Sequence, residues 1–524
     1  MVLRSPFADV EIPDVTLPDL LFADVAARAA RPALIDGPSG RTLTYGELAA
    51  AVDRLAAALA ERGVGKGDVI GILSPNTPYY AVVFHGALLA GATVTTINAL
   101  YTPEEVASQL TDSGARMLFT ISAFLDRARP AAETAGVSDV VVLDGAEGHT
   151  NLSELLATPA STPEVALDPA VDIAVLPYSS GTTGRAKGVM LTHRNLVANL
   201  LQGQPFLQLD GENRVLAVLP FFHIYGMQVT MNHALLNGAT VITMPRFDLA
   251  EFLRVIAEYR TDRVYIAPPV AVALAKHPLV DNYDLSALRL LLSGAAPLDA
   301  DLAAAVRSRL GCRVRQGYGM TELSPVSHAI PADRDDLSVG TVGLLLPNQA
   351  AKLVDPASGE EVGPGVPGEL WVRGPNVMAG YLNNPEATAA TIDSDGYLHT
   401  GDVAVVDEQG CFSVVDRVKE LIKYKGYQVP PAELEALLLT HSGIADAAVI
   451  GVRDAEGEEV PKAFVVRQPG AEDLGAEGVM AFVAEHVAPY KKVRAVEFID
   501  AIPKSASGKI LRKDLRDRET ATPA

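Results

Sequence analysis

The sequence has little cysteine, little positive charge and no long apolar run, and each shortage excludes a class of protein. Two cysteines, Cys312 and Cys411, in 524 residues are too few for a disulfide framework or a cysteine-rich zinc site. Lysine and arginine number 43 against 64 aspartates and glutamates, a formal net charge of −21, which repels phosphate backbones and anionic lipids. Nucleic acid and membranes are therefore poor candidate partners, and any anionic ligand needs a local basic cluster.

Targeting and membrane signals are also missing. The N-terminal residues MVLRSPFADVEIPDV contain no apolar signal core, and the final residues ATPA are not a peroxisomal tripeptide. The most apolar stretch, from Ala81 to Leu100, is interrupted by polar residues and glycines, so it predicts no membrane span. We therefore expect a cytoplasmic protein, and with 48% apolar residues this length predicts two to four globular domains.

Helical and strand-like segments alternate through the first part of the chain. Glu47 to Arg62 reads as an Ala-rich amphipathic helix, and Thr44 with Glu47 has the spacing of a capping box. Such alternation predicts an α/β fold with parallel sheets covered by helices. From Leu337 onward, Gly-rich and β-branched segments predict an antiparallel or barrel-like β region. We place a boundary after Asp416, with a large domain over 1–416 and a small α/β domain over 417–524.

Five motifs carry candidate chemistry. The sharpest is YSSGTTGRAKG over 178–188, whose glycines, hydroxyls and lysine suit phosphate binding, although its lysine does not stand where a Walker A loop requires it. The others are QGYGMTE over 316–322, TGD over 400–402, the basic run DRVKELIKYKGYQ over 416–428 and PKSASGK over 503–509. Each of these four also has an ordinary explanation, such as a turn, a solvated charged face or an exposed tail.

Together, in this order and spacing, the five motifs resemble those of the adenylate-forming enzymes, which comprise acyl-CoA synthetases, luciferases and adenylation domains. The resemblance covers essentially the whole chain. The segments LPFFHIYG, SGAAPL, GYGMTELSPV and DRVKELIKYKGYQVPPAELE are similar to those of the 4-coumarate–CoA ligases. The resemblance implies a large domain of two helix-flanked sheets with a β-barrel-like region, and a mobile C-terminal domain that hinges at Asp416.

The resemblance also implies a two-step reaction that uses ATP, Mg²⁺ and coenzyme A. A carboxylate attacks the α-phosphate of ATP to give an acyl-adenylate, and the thiol of CoA then displaces AMP. Lys509 would bridge the carboxylate and the α-phosphate, and Glu322 would bind Mg²⁺. The other implied ATP and AMP contacts are Ser179, Ser180, Gly181, Thr182, Thr183, Lys187, Gln316, Gly317, Tyr318, Thr321, Asp402, Arg417 and Lys419.

The implied contacts of CoA and of the acid lie elsewhere in the chain. Arg246, Lys425 and Gly426 would contact CoA, while Lys423 and Gln428 would face the acyl-adenylate. His223 would act as an aromatic gate that closes the acyl site until CoA arrives. By similarity the acid pocket is formed by His223, Ile224, Tyr225, Gln228, Gly294, Ala295, Gly317, Gly319, Pro325 and Val326.

Two positions depart from the pattern of the family. Ala186 replaces a common proline in the phosphate loop, and Leu292 stands where plant 4-coumarate–CoA ligases commonly have lysine, beside the acid pocket. A cinnamate- or 4-coumarate-type aryl acid is the expected substrate. A medium-chain fatty acid, luciferase-like chemistry and loading of a carrier protein are the alternatives. We expect the enzyme to act as a monomer or homodimer.

Overall fold

A computed structural model describes residues 1–157, 161–179, 186–424, 427–454, 458–505 and 508–521, with only the backbone at 427–428 and 520–521. The first predicted helix runs Tyr45–Glu61. Thr44 Oγ1 accepts a hydrogen bond from Glu47 N, and the Glu47 carboxylate accepts one from Thr44 N, which completes the capping box. The buried face of this helix packs against helix Pro78–Leu89.

The strand between these two helices belongs to an eight-stranded sheet. Its central strand Val69–Leu73 is almost wholly buried, as expected for a parallel strand covered on both faces. Six neighbouring strands of the sheet run parallel. The other two strands lie together at one end of the sheet, and each pairs antiparallel with its neighbour. In spatial order the strands are Gly380–Tyr381, Lys187–Thr192, Ile173–Ser179, Thr93–Thr96, Val69–Leu73, Ala115–Thr120, Asp139–Val142 and Thr150–Asn151.

A second, nine-stranded sheet carries the segments that precede the motifs around 294 and 316. Its centre is again parallel, with antiparallel strands at both edges. In spatial order the strands are Leu344–Leu345, Val326–Ala329, Arg313–Gly319, Leu290–Ser293, Arg263–Ile266, Arg214–Ala217, Thr240–Thr243, Pro32–Asp36 and Thr42–Thr44. Parallel strands place their carboxyl ends at one edge, where ligands of α/β proteins usually bind.

The β-rich region beyond residue 337 forms an antiparallel five-stranded sheet, as its Gly-rich, β-branched segments predict. Its strands in spatial order are Leu3–Arg4, Ala350–Val354, Gly368–Arg373, Leu398–Val406 and Phe412–Arg417. The last two strands pair Asp402 with Arg417. Antiparallel pairing therefore brings the third and fourth sequence motifs together.

The C-terminal part has its own apolar cluster, which includes Ile422, Leu434, Val449, Val465 and Val479. A separate core is typical of a separate domain, so the division into a large and a small α/β domain is found in the structure. The exact boundary after Asp416 stays a prediction. The strands here are Ile422–Tyr424 with Tyr427–Val429, and Ile444–Arg453, Glu459–Arg467 and Ala495–Phe498.

The helices cover the sheets on both faces. The α-helices are Leu17–Phe22, Tyr45–Glu61, Pro78–Leu89, Pro103–Ser113, Leu125–Ala135, Leu152–Leu156, His193–Leu207, His233–Leu236, Leu249–Tyr259, Pro268–Lys276, Ala300–Leu310, Pro385–Thr391, Pro431–Thr440, Ala476–His486 and Arg512–Ala521. Shorter 3₁₀ turns lie at Val25–Arg28, Ser122–Phe124, Pro278–Asn282, Thr321–Leu323 and Pro489–Lys491, and a π-helix spans Tyr225–Asn232. In the described part of the chain, no helix combines the length and apolarity needed to cross a bilayer.

Candidate active site

The phosphate-loop motif begins and ends on paired strands. Ser179 is the last residue of one strand and lies opposite Lys187, the first residue of the next. Residues 180–185, which include the predicted contacts Ser180, Gly181, Thr182 and Thr183, lie outside the described part of the chain. Lys187 Nζ lies 3.9 Å from the centroid of the Tyr381 ring, a distance typical of a cation–π contact. The ammonium group is thereby held at the end of the loop.

Tyr381 also connects this lysine with the predicted metal ligand. Its hydroxyl donates a hydrogen bond of 2.9 Å to Oε1 of Glu322, which is only 4% exposed. Burial, together with the charge of Glu322, raises the pKa of Tyr381, so the phenol remains a donor at neutral pH. Tyr381 carries no signal of this contact in the sequence, because it lies 59 residues from Glu322 and outside the five motifs.

The environment of Glu322 suits a magnesium ion that arrives with a nucleotide. Among the described residues, no cluster of three His, Cys, Asp or Glu side chains could hold a metal ion by itself. Mg²⁺ is commonly bound through one or two carboxylates, with phosphate oxygens and water completing its octahedron. One fixed carboxylate beside the phosphate loop therefore fits that ion when phosphate groups are bound.

The predicted ribose contacts form a connected group. Asp402 accepts a 2.5 Å hydrogen bond from the Tyr318 hydroxyl, and Nε of Arg417 lies 3.4 Å from the other carboxylate oxygen. Tyr318 is half-buried, and burial with the nearby Asp402 charge raises its pKa well above the usual value. An aromatic ring and a carboxylate are thus held side by side, an arrangement that suits an adenine ring and a ribose hydroxyl.

Gln316 has a different environment from the one expected of a nucleotide contact. Its Oε1 accepts a 2.8 Å hydrogen bond from Leu298 N, and its Nε2 donates to Leu298 O at 2.7 Å and to Val339 O. These bonds connect two backbone segments around the site. The nucleotide contact of Gln316 stays a prediction, and the observed side chain fixes the loop after Ser293.

Lys509 lies within electrostatic reach of this group, although it belongs to the C-terminal domain. Burial lowers the pKa of its ammonium below the usual value and Arg417 lowers it further, whereas Asp402 and Glu322 raise it. Gly508 also contacts the large domain, since a Cβ placed on it would be 2.9 Å from Cβ of Ala267. The structure therefore brings Lys509 of the fifth motif near Glu322, Asp402 and Arg417 of the second, third and fourth motifs.

The predicted gate residue borders Lys509. Burial, with the positive charge of Lys509, lowers the pKa of His223 to about 3, so the imidazole is neutral at physiological pH. Its Nδ1 accepts a 3.2 Å hydrogen bond from Tyr225 N, which fixes the ring against the backbone that follows. A neutral, oriented ring is suited to a steric gate between the nucleotide group and the acid pocket.

Glycines bring backbone and aromatic groups close together among the residues of the predicted acid pocket. A Cβ on Gly294 would lie 2.9 Å from the Tyr225 ring, and one on Gly319 would lie 2.2 Å from Pro325 O. Gly317 is less crowded, with the nearest atom 3.1 Å from a placed Cβ. Ala295 has a φ of +71°. Residues other than glycine rarely adopt this backbone conformation, and it turns the chain beside Gly294.

The remaining pocket residues are held by neighbouring elements. Asn199 donates from Nδ2 to Val326 O at 2.7 Å and accepts from Val326 N at 3.1 Å, and Ile224 is packed in the main apolar core. Gln228 is 1% exposed, and its amide donates to Leu196 O and accepts from Asn232. Those existing bonds favour a structural role for Gln228 over contact with a substrate hydroxyl.

The residues predicted to contact CoA or to act in the second half-reaction make no described contact with this site. Arg246, Lys419 and Lys423 are exposed, and within the described residues their side chains have no hydrogen bond or ion pair with the group around Lys509. Lys425 and Gly426 lie outside the described part of the chain, and Gln428 is described by its backbone alone. The roles of these residues stay predictions.

Comparison with known proteins identifies the family. A family model described as AMP-binding enzyme matches residues 21–382, and one described as AMP-binding enzyme C-terminal domain matches 433–509. The chain belongs to the AMP-binding enzyme family. This confirms the resemblance to adenylate-forming enzymes, and the predicted boundary after Asp416 falls between the two matches.

Curated relatives match this family member over nearly its full length. The protein named 4-coumarate–CoA ligase 3 of Oryza sativa subsp. japonica is 44% identical, with 99% of this chain and 95% of the relative covered. 4-Coumarate–CoA ligase 1 of Solanum tuberosum is 42% identical, with 99% and 97% covered. Within the adenylate-forming superfamily, the chain is therefore most similar to 4-coumarate–CoA ligases.

Solved structures of the family confirm the fold. An anthranilate CoA ligase, AuaEII, in complex with anthranoyl-AMP superposes with a TM-score of 0.90 at 28% identity, covering 98% of both chains. ATP-bound MatB from Rhodopseudomonas palustris superposes with a TM-score of 0.88 at 30% identity, covering 97% of this chain and 99% of that one. The expected large α/β domain with its small C-terminal partner is thus confirmed.

Proposed function

We propose that this enzyme is an ATP-dependent acid–CoA ligase whose acid is an aryl-acrylic acid of the 4-coumarate or cinnamate type. The observation that carries this proposal is a chain of contacts: Tyr318 bonds to Asp402, the charge of Lys509 acts on Asp402, Glu322 and His223, and His223 accepts a bond from Tyr225, which packs on Gly294. The full-length relatives named 4-coumarate–CoA ligases support the assignment. ATP, CoA and the acid are then the substrates, and Mg²⁺ accompanies ATP.

In the first step, an oxygen of the acid attacks the α-phosphorus of ATP and the bond to the β-phosphate breaks. The step joins two anions, so its barrier is mainly electrostatic. Lys509 donates to the carboxylate and the α-phosphate, while Lys187 holds the departing pyrophosphate. Thr321 contacts the α-phosphate, Asp402 and Arg417 orient the ribose, and Tyr318 stacks on adenine. Bound through Glu322 and phosphate oxygens, Mg²⁺ would supply charge neutralisation.

In the second step, the thiol of CoA loses its proton and its sulfur attacks the acyl carbon, and the bond to AMP breaks. The small domain must rotate about Asp416, which withdraws Lys509 and presents the segment containing Lys423, Lys425 and Gly426. His223 moves aside to admit the thiol, and Lys419 and Gln428 contact the AMP end. Arg246 would attract the nucleotide end of CoA.

The shape of the pocket favours an aryl acid over the alternatives. Tyr225 packs directly against Gly294, and the flat wall that they form together suits the face of a conjugated ring better than a flexible chain. A direct assay decides the matter: ATP- and CoA-dependent thioester formation is measured with 4-coumarate, cinnamate, benzoate and octanoate. Faster turnover of octanoate than of cinnamate would reject the aryl assignment in favour of a fatty acid.

A second prediction concerns the ring hydroxyl. Tyr225 is half-buried, and within the described part of the chain its hydroxyl makes one long hydrogen bond, 3.2 Å to Leu292 O, so it retains capacity to accept one from 4-coumarate. A hydrogen bond of this kind contributes about 1 kcal/mol, so the wild-type enzyme should prefer 4-coumarate to cinnamate by roughly five- to ten-fold. Tyr225→Phe should remove most of that preference in kcat/KM while leaving cinnamate turnover nearly unchanged.

Tyr265 offers the matched control for this variant. It pairs with Leu292 across the parallel strands, is 0% exposed, and its hydroxyl has no partner among the described residues. Tyr265→Phe removes a hydroxyl oxygen from the neighbouring strand. It should leave the ratio of kcat/KM for 4-coumarate to kcat/KM for cinnamate unchanged. A preference lost in Tyr265→Phe and kept in Tyr225→Phe would contradict the assignment.

A further inference from the structure

We propose that Arg512 is a positioning residue for Lys509, holding the turn that carries this lysine in the geometry that adenylation needs. The inference rests on the proposed function, because it concerns the first of the two half-reactions. Arg512 lies outside the five motifs and does not touch the nucleotide group. Its contacts are with the framework of the C-terminal domain.

Lys509 lies on the returning arm of a tight backbone turn. Ser505 N donates to Lys509 O at 2.8 Å, Lys509 N donates to Ser505 Oγ at 3.1 Å, and Leu511 N donates to Pro503 O at 2.9 Å. These bonds shape the turn itself. The orientation of the turn relative to its domain depends on what holds its two ends.

Ion pairs hold both ends of this turn. On the incoming side, Lys504 pairs with Asp446. On the outgoing side, Nη2 of Arg512 donates to both carboxylate oxygens of Glu435, at 2.8 and 2.7 Å. These bonds are charge-assisted and therefore stronger than bonds between neutral groups, and the two side chains are only 15% and 10% exposed.

The Arg512 pair is anchored further by the backbone of a central strand. Nε of Arg512 donates to Val449 O at 3.2 Å, and Val449 N donates to Oε1 of Glu435 at 2.8 Å. Arg512 therefore contacts helix Pro431–Thr440 and strand Ile444–Arg453 together. Three residues span at most about 10 Å, so fixing Arg512 closely limits where Lys509 can lie.

The same cluster reaches the junction of the two domains. Asp416 accepts hydrogen bonds from Arg417 N at 2.7 Å and from Ala432 N at 2.9 Å. Burial raises the pKa of Asp416, and the charge of Arg512 opposes that effect. Arg512 thus stabilises the ionised carboxylate that caps the first turn of the helix bearing Glu435. The guanidinium of Arg512 therefore acts on the turn that carries Lys509, on helix Pro431–Thr440 and on Asp416 at the domain junction.

The test measures the two half-reactions separately in Arg512→Gln and Arg512→Lys. Misplacement of a catalytic group by about 1 Å can cost roughly 100-fold in rate. Acid-dependent pyrophosphate release by Arg512→Gln should therefore fall by about 100-fold in kcat, with KM for ATP changed by less than about three-fold. Thioester formation from supplied acyl-AMP should stay within about three-fold of the wild type. Arg512→Lys should show a smaller loss in pyrophosphate release.

Arg518→Gln is the matched control, since Arg518 lies on the same helix and pairs with Glu497 instead. It should leave both half-reactions within about two-fold of the wild type. Each variant is assayed with the acid that the wild-type enzyme adenylates fastest. Failure with aryl acids would then reject the proposed substrate alone, whereas equal losses in both half-reactions of Arg512→Gln would overturn the role of Arg512.

A purely structural role predicts a different result in a double variant. Removing Arg512 alone leaves the buried Glu435 charge uncompensated, which destabilises the fold. The double variant Glu435→Gln with Arg512→Gln removes both charges, and we expect its Tm to recover toward that of the wild type. The rate of adenylation should remain low, because the hydrogen bonds of Arg512 to Glu435 and to Val449 O are lost. Recovery of adenylation together with Tm would overturn the proposal.

Discussion

Lys509→Ala should lower acid-dependent adenylate formation by two to three decades and leave thioester formation from supplied acyl-AMP nearly unchanged. Removing a preorganised donor aimed at developing charge costs about 3–4 kcal/mol. The structure supports such a role, because the ammonium lies in the field of Asp402, Glu322 and Arg417 and affects the pKa of His223. Pyrophosphate release and CoA-dependent consumption of acyl-AMP, assayed separately, give the two rates.

Lys513→Ala provides the control for this variant. Lys513 is exposed and lies in the helix that begins at Arg512, after Lys509, so its removal changes the net charge equally without changing the site. We expect both half-reactions of Lys513→Ala to match the wild type. Equal impairment of both half-reactions in Lys509→Ala would contradict a role confined to adenylation, and so would an unaffected pyrophosphate release.

The predictable parts of the fold are those governed by short-range physics. Thr44 and Glu47 define a helix start because their capping bonds join residues three apart, and the apolar segment ending at Leu73 indicates a buried strand by its composition. The order of strands in each sheet is not local in this sense. It depends on pairings such as Val241 with Leu34, which no short pattern specifies.

The same distinction applies to the site. Lys509, Glu322 and Asp402 stand in recognisable motifs, so the resemblance alone singles them out as candidates. Tyr381 and Arg512 act through long-range contacts, with Glu322 and Glu435 respectively, and a lone tyrosine or arginine carries no signal of such a contact. Gln316 is the opposite case: it stands inside a motif, but its side chain bonds to backbone groups around the site.

Gly294→Leu should abolish turnover of cinnamate and 4-coumarate, while any turnover of acetate or propionate should persist. A Cβ at this position already lies 2.9 Å from Cε1 and 3.1 Å from Cζ of Tyr225, so a leucine must displace the Tyr225 ring and disrupt the wall against which we propose that the aryl ring lies. A short acid needs only the part of the pocket beside the reacting carboxylate. Thioester formation across acids of increasing size, measured for wild type and variant, tests this expectation.

Two further variants separate disruption of this wall from damage to the fold. Gly363 has no atom within 4 Å of a placed Cβ and needs no left-handed backbone, so Gly363→Leu adds the same side chain in open space and should keep full aryl activity. Gly294→Ala adds one methyl group against a ring that can shift by a few tenths of an ångström, and should give an intermediate loss. Since overpacking costs about 1–3 kcal/mol, Gly294→Leu should remain folded by its Tm while its aryl activity is lost. Retention of 4-coumarate turnover by folded Gly294→Leu would place the aryl ring elsewhere, and the wall formed by Gly294 and Tyr225 could not then line the acid pocket.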